Sequence, residues 1–170
     1  MKNKVIRSIT NNGIVIALYF LLTLAGQSFA FGMIQIRVAE ILVLLCFFRR
    51  DYTIGVTLGC VLSNLLLSYI GIWDMVFGSL ATLISCLLIS FSKHLFISTL
   101  FPVVINGFVV GAELVLLLES EYSFWINAAC VAAGEFIAVS IIGYLLFVFI
   151  GKKEYFQNLI GADRSQQFKW

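Results

Sequence analysis

Charge is what this chain has least of. Asp, Glu, Lys and Arg supply 12% of its 170 residues, while 61% are hydrophobic. A soluble domain carries about 25% charged residues. The shortage excludes an ordinary soluble domain and makes the chain an integral membrane protein. Proline is limited to Pro102 and histidine to His94. His94 stands in a short basic stretch, which argues against a histidine-built metal site. Cys46, Cys60, Cys86 and Cys130 all lie in apolar runs and form no Cys-x-x-Cys pair. They read as small lipid- or core-facing residues rather than disulfides or metal ligands. A Gly-rich phosphate loop with a lysine is missing, as is any nucleophile or paired-carboxylate arrangement typical of an enzyme. These gaps argue against catalysis and leave no cofactor to this chain. If it transports, its energy comes from another chain or from an ion gradient.

What is there is a series of apolar runs. A membrane-spanning helix needs roughly 20 residues, so six of them use roughly 120 and leave short loops and no soluble domain. The sequence predicts an all-α bundle of six transmembrane helices over about 9–29, 36–48, 52–70, 74–91, 98–118 and 123–150. They form one membrane domain over 1–151, followed by a polar cytoplasmic tail over 152–170. Pro102 falls in the first turn of the fifth helix, where proline is tolerated. Ser28-Phe29-Ala30 faintly resembles a signal-peptidase site, but the run before it exceeds the about 7–15 apolar residues of a signal peptide, so the first helix is expected to stay. The sixth run is long enough to tilt or to extend beyond the bilayer.

With six spans both termini share one side, expected to be the cytoplasm. That side holds Lys2, Lys4, Arg7, Arg49, Arg50, Lys93, Lys152, Lys153, Arg164 and Lys169, ten of the eleven basic residues. This is the split that the positive-inside rule requires. Arg37 is the exception, which points to a task beyond topology.

Arg37 sits in Phe31-Gly-Met-Ile-Gln-Ile-Arg-Val-Ala-Glu40, where Gln35, Arg37 and Glu40 fall together between two apolar runs. Charge at membrane depth is costly and usually faces a cavity or a partner. Other polar residues gather towards the same outer half: Asn64 in the third helix, Trp73 and Asp74 at the start of the fourth, Glu113 in the fifth and Asn127 in the sixth. Glu113 follows Asn106 by seven residues and Glu135 follows Asn127 by eight, so each pair shares a helical face. An outward-open pocket lined by carboxylates, amides and tryptophans is the inference, with Asn106 and Glu135 deeper. Plainer roles compete. Arg37 and Glu40 can pair as helical neighbours, and Asp74 can cap a helix. Trp73 and Trp125 can belong to an interfacial belt, and Asn64 and Asn106 can be interhelical glue. Glu119 and Glu121 read as solvated loop charges. Glu113 and Glu135 resist such readings, because a buried carboxylate needs a cation, a proton or a hydrogen-bonded ligand. Gly13 and Ala17, and likewise Gly55, Gly59 and Ser63, have the small-xxx-small spacing that permits close helix approach.

Ile34-Gln-Ile-Arg-Val-Ala-Glu40 is the sharpest part of a family resemblance. Supporting stretches are Gly55-Val-Thr-Leu-Gly-Cys-Val-Leu-Ser-Asn64, Gly71-Ile-Trp-Asp-Met-Val-Phe-Gly-Ser-Leu-Ala-Thr82, Asn106-Gly-Phe-Val-Val-Gly111 and Gly134-Glu135. Over roughly Gly13 to Gly143 the chain resembles the QueT family, the substrate-binding S components of energy-coupling factor (ECF) transporters. The resemblance implies a six-helix subunit that captures its ligand at the outer face of the bacterial cytoplasmic membrane. It implies work with the transmembrane coupling protein EcfT and two ATPases, where ATP is hydrolysed, and toppling in the membrane to deliver the ligand. Such components commonly meet EcfT through an Ala-xxx-Ala pattern in helix 1; here the matching positions are Gly13 and Ala17, glycine replacing the first alanine.

The implied ligand is a queuosine precursor: a 7-deazaguanine such as the 7-aminomethyl or 7-cyano base, or queuine. A carboxylate (Glu113, Glu135 or Glu40) suits the adjacent N–H donors of a guanine-like edge. Gln35, Arg37 or Asn64 suits its carbonyl, and Trp73 or Trp125 its flat ring. An S component for another vitamin, of cobalamin or pyrimidine type, is the nearest rival. A stand-alone ion-coupled carrier is a second. A nucleic-acid partner is not expected.

Overall fold

The computed structural model describes residues 2–31, 34–117 and 120–162. The reading of Glu119 as a loop charge, and the tail residues Arg164 and Lys169, lie outside the described residues. Helix α1 covers Lys2–Ala25 and a single turn, α2, covers Gln27–Ala30. An extended stretch over 35–37 then leads into α3, Val38–Phe48. Helices α4 (Tyr52–Leu67), α5 (Ile72–Phe91), α6 (Leu95–Leu117) and α7 (Phe124–Ile150) follow. The last described helix is α8, Glu154–Ile160.

The Val5–Ala25 part of α1, and α5, α6 and α7, are long and apolar enough to cross a membrane. Helices α3 and α4 are shorter apolar helices, standing where the second and third spans are expected. The bundle is built inside out relative to a soluble protein. Ser63, Asn64, Thr82, Ser85, Ser98 and Thr99 are buried, while Leu18, Leu21, Leu58, Leu80, Val104 and Leu145 are exposed. With its apolar surface turned outward along helices of this length, the protein is a multi-pass membrane protein.

Successive contacts run α1 to α4, α4 to α5, α5 to α6 and α6 to α7, and α3 stands among them, touching all five. Ala39, Ile41, Val43, Leu44, Leu45, Cys46, Phe47 and Phe48 of α3 are all buried, as expected of a helix that is apolar all round. Missing side chains let neighbours come close. A Cβ on Gly55 would lie 2.5 Å from Asn12 Oδ1, and one on Gly59 would lie 2.7 Å from Tyr19 Cβ. On α6, a Cβ at Gly111 would lie 2.7 Å from the Ala128 Cα of α7. Gly13 is different: among the described residues nothing lies within 4 Å of its added Cβ. Gly13 and Ala17 are both exposed.

Two helices depart from regular winding where they meet. The first turns of α3, Val38–Leu44, are wound as a 3-10 helix, and Phe136–Gly143 in α7 is wound as a π-helix. These two stretches pack on each other. Both forms are rare at such length, and π segments cluster at functional sites.

Several boundaries differ from expectation. The first helix ends at Ala25 because Gly26 breaks it. The fifth begins at Leu95, which puts Pro102 inside the helix and not in its first turn. Asp74 is the third residue of α5, whose N-cap is Gly71. The region expected to be only a polar tail contains α8, which folds back on the bundle. Tyr52 Oη donates to the Ile160 carbonyl (2.8 Å), and Arg7 Nη2 donates to the carbonyls of Asn158 and Leu159 (3.2 Å to the latter). Phe156 meets Phe48 and Phe147 edge-on. The sequence reads α8 as part of a polar tail, because its four hydrophobic residues, Tyr155, Phe156, Leu159 and Ile160, form too short a run among polar neighbours to signal a helix.

Candidate functional site: a buried charged cluster at one end of the bundle

The bundle has two chemically distinct ends. At one, Arg7, Asp51, Tyr52 and α8 come together, and Arg50 reaches the Ser90 carbonyl and the Phe91 ring. This is the basic end. At the opposite end residues 26–31 and 34–37, the 68–71 turn and the last turns of α6 meet, joined in part by Gln27 Nε2 donating to the Leu67 carbonyl at 3.0 Å.

The expensive residues converge near this opposite end. Among the described residues the buried charged side chains are Arg37, Glu40, Asp74, Glu113 and Glu135. Formally that is one cation against four carboxylates. Arg37 comes from the extended stretch before α3, so its side chain is free of helical phase. Its Nη1 lies 3.8 Å from Glu40 Oε1, and its guanidinium stands over the Phe31 ring, 5.1 Å from the centroid. The expected Arg37–Glu40 pairing is therefore present, but it is one strand of a larger net. Tyr19 Oη donates to the same Glu40 oxygen at 2.5 Å, and Thr82 Oγ1 at 3.3 Å. Cys60 Sγ lies 3.4 Å from Thr82 Oγ1 and 4.0 Å from Arg37 Nη1. The arrangement ties α1, α3, α4 and α5 around one carboxylate. Arg37 Nε and Glu40 Oε2 keep no partner among the described residues.

Beside it lies a second group. Phe31, Gln35, Ser68, Asp74 and Glu113 line a cavity of about 20 Å³, room for about one water. Ser68 Oγ donates to Asp74 Oδ2, and Asn64 Nδ2 donates to the Asp74 backbone carbonyl at 2.9 Å. Glu113 is only 3% exposed, yet neither carboxylate oxygen has a hydrogen-bond partner among the described residues. Leaving a buried polar group unpaired costs about 1–3 kcal/mol, and more for a charged one.

The remaining expected site residues separate from this cluster. Asn106 Nδ2 donates to Glu135 Oε1 at 2.8 Å, and Glu135 Oε2 stays unpartnered. Glu135 is the last residue before the π segment. Asn127 is consumed locally: its side chain bonds Ser120 Oγ and donates to the Tyr122 carbonyl, fastening the turn before α7. Trp73 and Trp125 point outward, 52% and 69% exposed. Trp73 stacks on Phe77 and Trp125 meets Phe108 and Phe124 edge-on, as in an interfacial belt. The residues that sequence reasoning misses are Tyr19, Cys60, Ser68 and Thr82. Hydroxyls and thiols are too common in membrane helices to stand out singly, although Cys60 and Thr82 lie within two of the quoted stretches.

A family model described as QueT transporter matches residues 9–152. The queuosine precursor transporter QueT of Lactococcus lactis subsp. cremoris (strain MG1363) is 40% identical over 86 residues, which is 49% of this chain and 50% of that protein. The aligned part of the chain thus spans about half the length of this curated relative. No solved structure matches the chain. The family match runs from α1 to the end of α7 and takes in every buried charged residue of the cluster, from Arg37 to Glu135; the chain belongs to the QueT transporter family.

Proposed function

We propose that this protein is the substrate-capturing S component of an ECF-type importer and takes up a 7-deazaguanine queuosine precursor from the outer face of the bacterial cytoplasmic membrane. The observation that carries the reading is the convergence of the buried ionisable groups near the end of the bundle opposite the basic turns, with Glu113 unpartnered beside the cavity. The relative's printed substrate gives the chemical class. The basic end would face the cytoplasm, with all six helices spanning and both termini inside, which satisfies the positive-inside rule.

Capture follows from the groups at hand. A guanine-type edge presents adjacent N–H donors, for which Glu113, Glu40 and Glu135 hold unpaired oxygens. Its carbonyl oxygen needs a donor, which Arg37 Nε offers, and Phe31 presents a ring beside it. The cavity of about 20 Å³ is far smaller than a bicyclic base. Entry therefore requires Phe31 and the 34–37 stretch to part from the 68–71 turn. Buried groups left unpaired by a wrong ligand would make such a site discriminating. EcfT would meet the exposed Gly13–Ala17 stripe of α1, and two partner ATPases would supply ATP hydrolysis.

The test is titration of the purified protein alone with 7-deazaguanines, guanine and cobalamin, read by heat or tryptophan fluorescence. One-to-one binding of a deazaguanine with guanine weak is the expected result. Tight cobalamin binding would replace the cargo, and no binding across the panel would sink the reading. Uptake into vesicles lacking EcfT and the ATPases would instead establish a stand-alone carrier.

A further inference from the structure

The reading above leaves open which deazaguanine is taken, and the charges of the cavity decide it. Asp74 and Glu113 line the same small cavity, and both are buried. Two carboxylates sharing a low-dielectric site cannot both stay ionised without a cation between them. The chain does not provide one there. Arg37, the one buried cation among the described residues, lies against Glu40, which already draws hydrogen bonds from Tyr19 and Thr82. Asp74 receives a neutral hydroxyl from Ser68, while Glu113 meets no hydroxyl, amide or guanidinium donor among the described residues and faces Asp74. A neutral base occupying the cavity would leave a proton as the pair's only relief, whereas a ligand cation could replace it.

We infer that the Asp74–Glu113 pair is the ammonium subsite of the pocket, so that the protein selects a precursor bearing a protonated amine over one bearing a neutral substituent. The inference rests on the proposed capture of a deazaguanine and adds the group that sets its specificity. A primary ammonium has three donors in a compact charge, which suits two converging carboxylates. Charge-assisted hydrogen bonds of this kind are roughly twice as strong as neutral ones. With Glu113 and Asp74 holding the amine, the guanine-like edge falls to the unpaired oxygens of Glu40 or Glu135.

Titration of the full chain with 7-aminomethyl-7-deazaguanine and with 7-cyano-7-deazaguanine tests this, because the two differ in charge and little in shape. Wild-type protein should bind the aminomethyl base at least about tenfold more tightly, a difference of about 1.4 kcal/mol. Glu113→Gln and Asp74→Asn, which keep shape and an acceptor, should each bring the ratio of aminomethyl to cyano affinity towards one. Equal or tighter cyano binding by wild type would overturn the inference and leave the capture of deazaguanines standing. So would an unchanged ratio in both variants. Binding of neither base would bring down the broader reading as well. Repeating the titration in sodium, potassium and choline chlorides at one ionic strength separates an organic ammonium from a bound metal cation. Affinity that depends on sodium or potassium would assign the carboxylates to the ion and overturn the inference.

Discussion

Gly134 of α7 lies directly against the backbone of Gln35. A Cβ added to Gly134 would overlap the Gln35 carbonyl oxygen and lie 2.7 Å from the carbonyl carbon. The contact joins the residue before Glu135 to the extended stretch that presents Gln35 and Arg37 to the cluster.

Gly134→Ala is therefore expected to push the 35–37 stretch away from α7. Overpacking of this kind costs about 1–3 kcal/mol. Thermal unfolding should show the loss, and ligand affinity should fall with it because Arg37 is displaced. Gly13→Ala is the internal control: its added methyl meets nothing within 4 Å among the described residues. It should change stability by no more than about 0.5 kcal/mol. Equal stability of the two variants would show that the Gly134 contact carries no weight.

The Glu40 net makes a second, graded prediction. Tyr19→Phe removes one donor to Glu40 Oε1 and leaves Thr82 and Arg37 in place. Its cost should be about 1.5–3 kcal/mol, the range for a hydrogen bond to a charged group. Glu40→Ala is worse, because it strands a buried guanidinium, and breaking a buried ion pair from one side costs about 3–5 kcal/mol. Denaturant unfolding in detergent should rank the two in that order. Glu40→Ala as stable as wild type would show that Arg37 draws its stability from Phe31 alone.

A third prediction concerns pH at the basic end. Arg49 Nε and Nη2 donate to Asp51 Oδ2 at 3.1 and 2.5 Å, and Ser8 Oγ donates to it at 3.0 Å. These donors, Arg49 first, hold the Asp51 carboxyl below its ordinary value of 3.8. A depressed folded-state pKa stabilises the fold above the unfolded value and loses that contribution as pH falls through the folded one. Stability should therefore decline below about the ordinary carboxylate range, and Asp51→Asn should flatten that part of the profile. The effect should be small, because the Asp51 side chain is 46% exposed and screened. An identical acid limb in Asp51→Asn would assign the decline to other carboxylates.

What the sequence discloses and what it hides have physical causes. Gln35, Arg37 and Glu40 are legible because charge inside an apolar run has a cost that demands a reason. Helices α1, α5, α6 and α7 are legible because their apolar runs are long enough to cross a membrane. The meeting of Asp74 with Glu113 is a tertiary fact, since no periodicity links α5 to α6. The π-wound Phe136–Gly143 stretch is hidden for another reason: apolar and small residues fit any helical winding, and only packing against α3 selects this one. Trp73 and Trp125 stay ambiguous in the sequence because an aromatic ring suits a belt and a stacking site equally well.

The clasp formed by α8 gives the last prediction. It was invisible as a polar tail, yet it is held at both ends of its short length. Tyr52 Oη bonds the Ile160 carbonyl at 2.8 Å while accepting from Asn11 Nδ2 at 3.2 Å. Arg7 closes on the last carbonyls of the helix, where a cation also meets the negative end of the helix dipole. Phe156 sets its ring edge-on against the stacked Phe48 and Phe147 rings. A helix of seven residues does not persist alone in water, so α8 exists because these contacts hold it. Arg7→Ala combined with Tyr52→Phe should release it, with amide exchange over 154–160 rising about tenfold for each 1.4 kcal/mol removed. Exchange within α5 and α6 should stay as it was. Faster exchange throughout the bundle would mean that the clasp supports the whole fold; unchanged exchange over 154–160 would mean that Phe156 alone seats the helix.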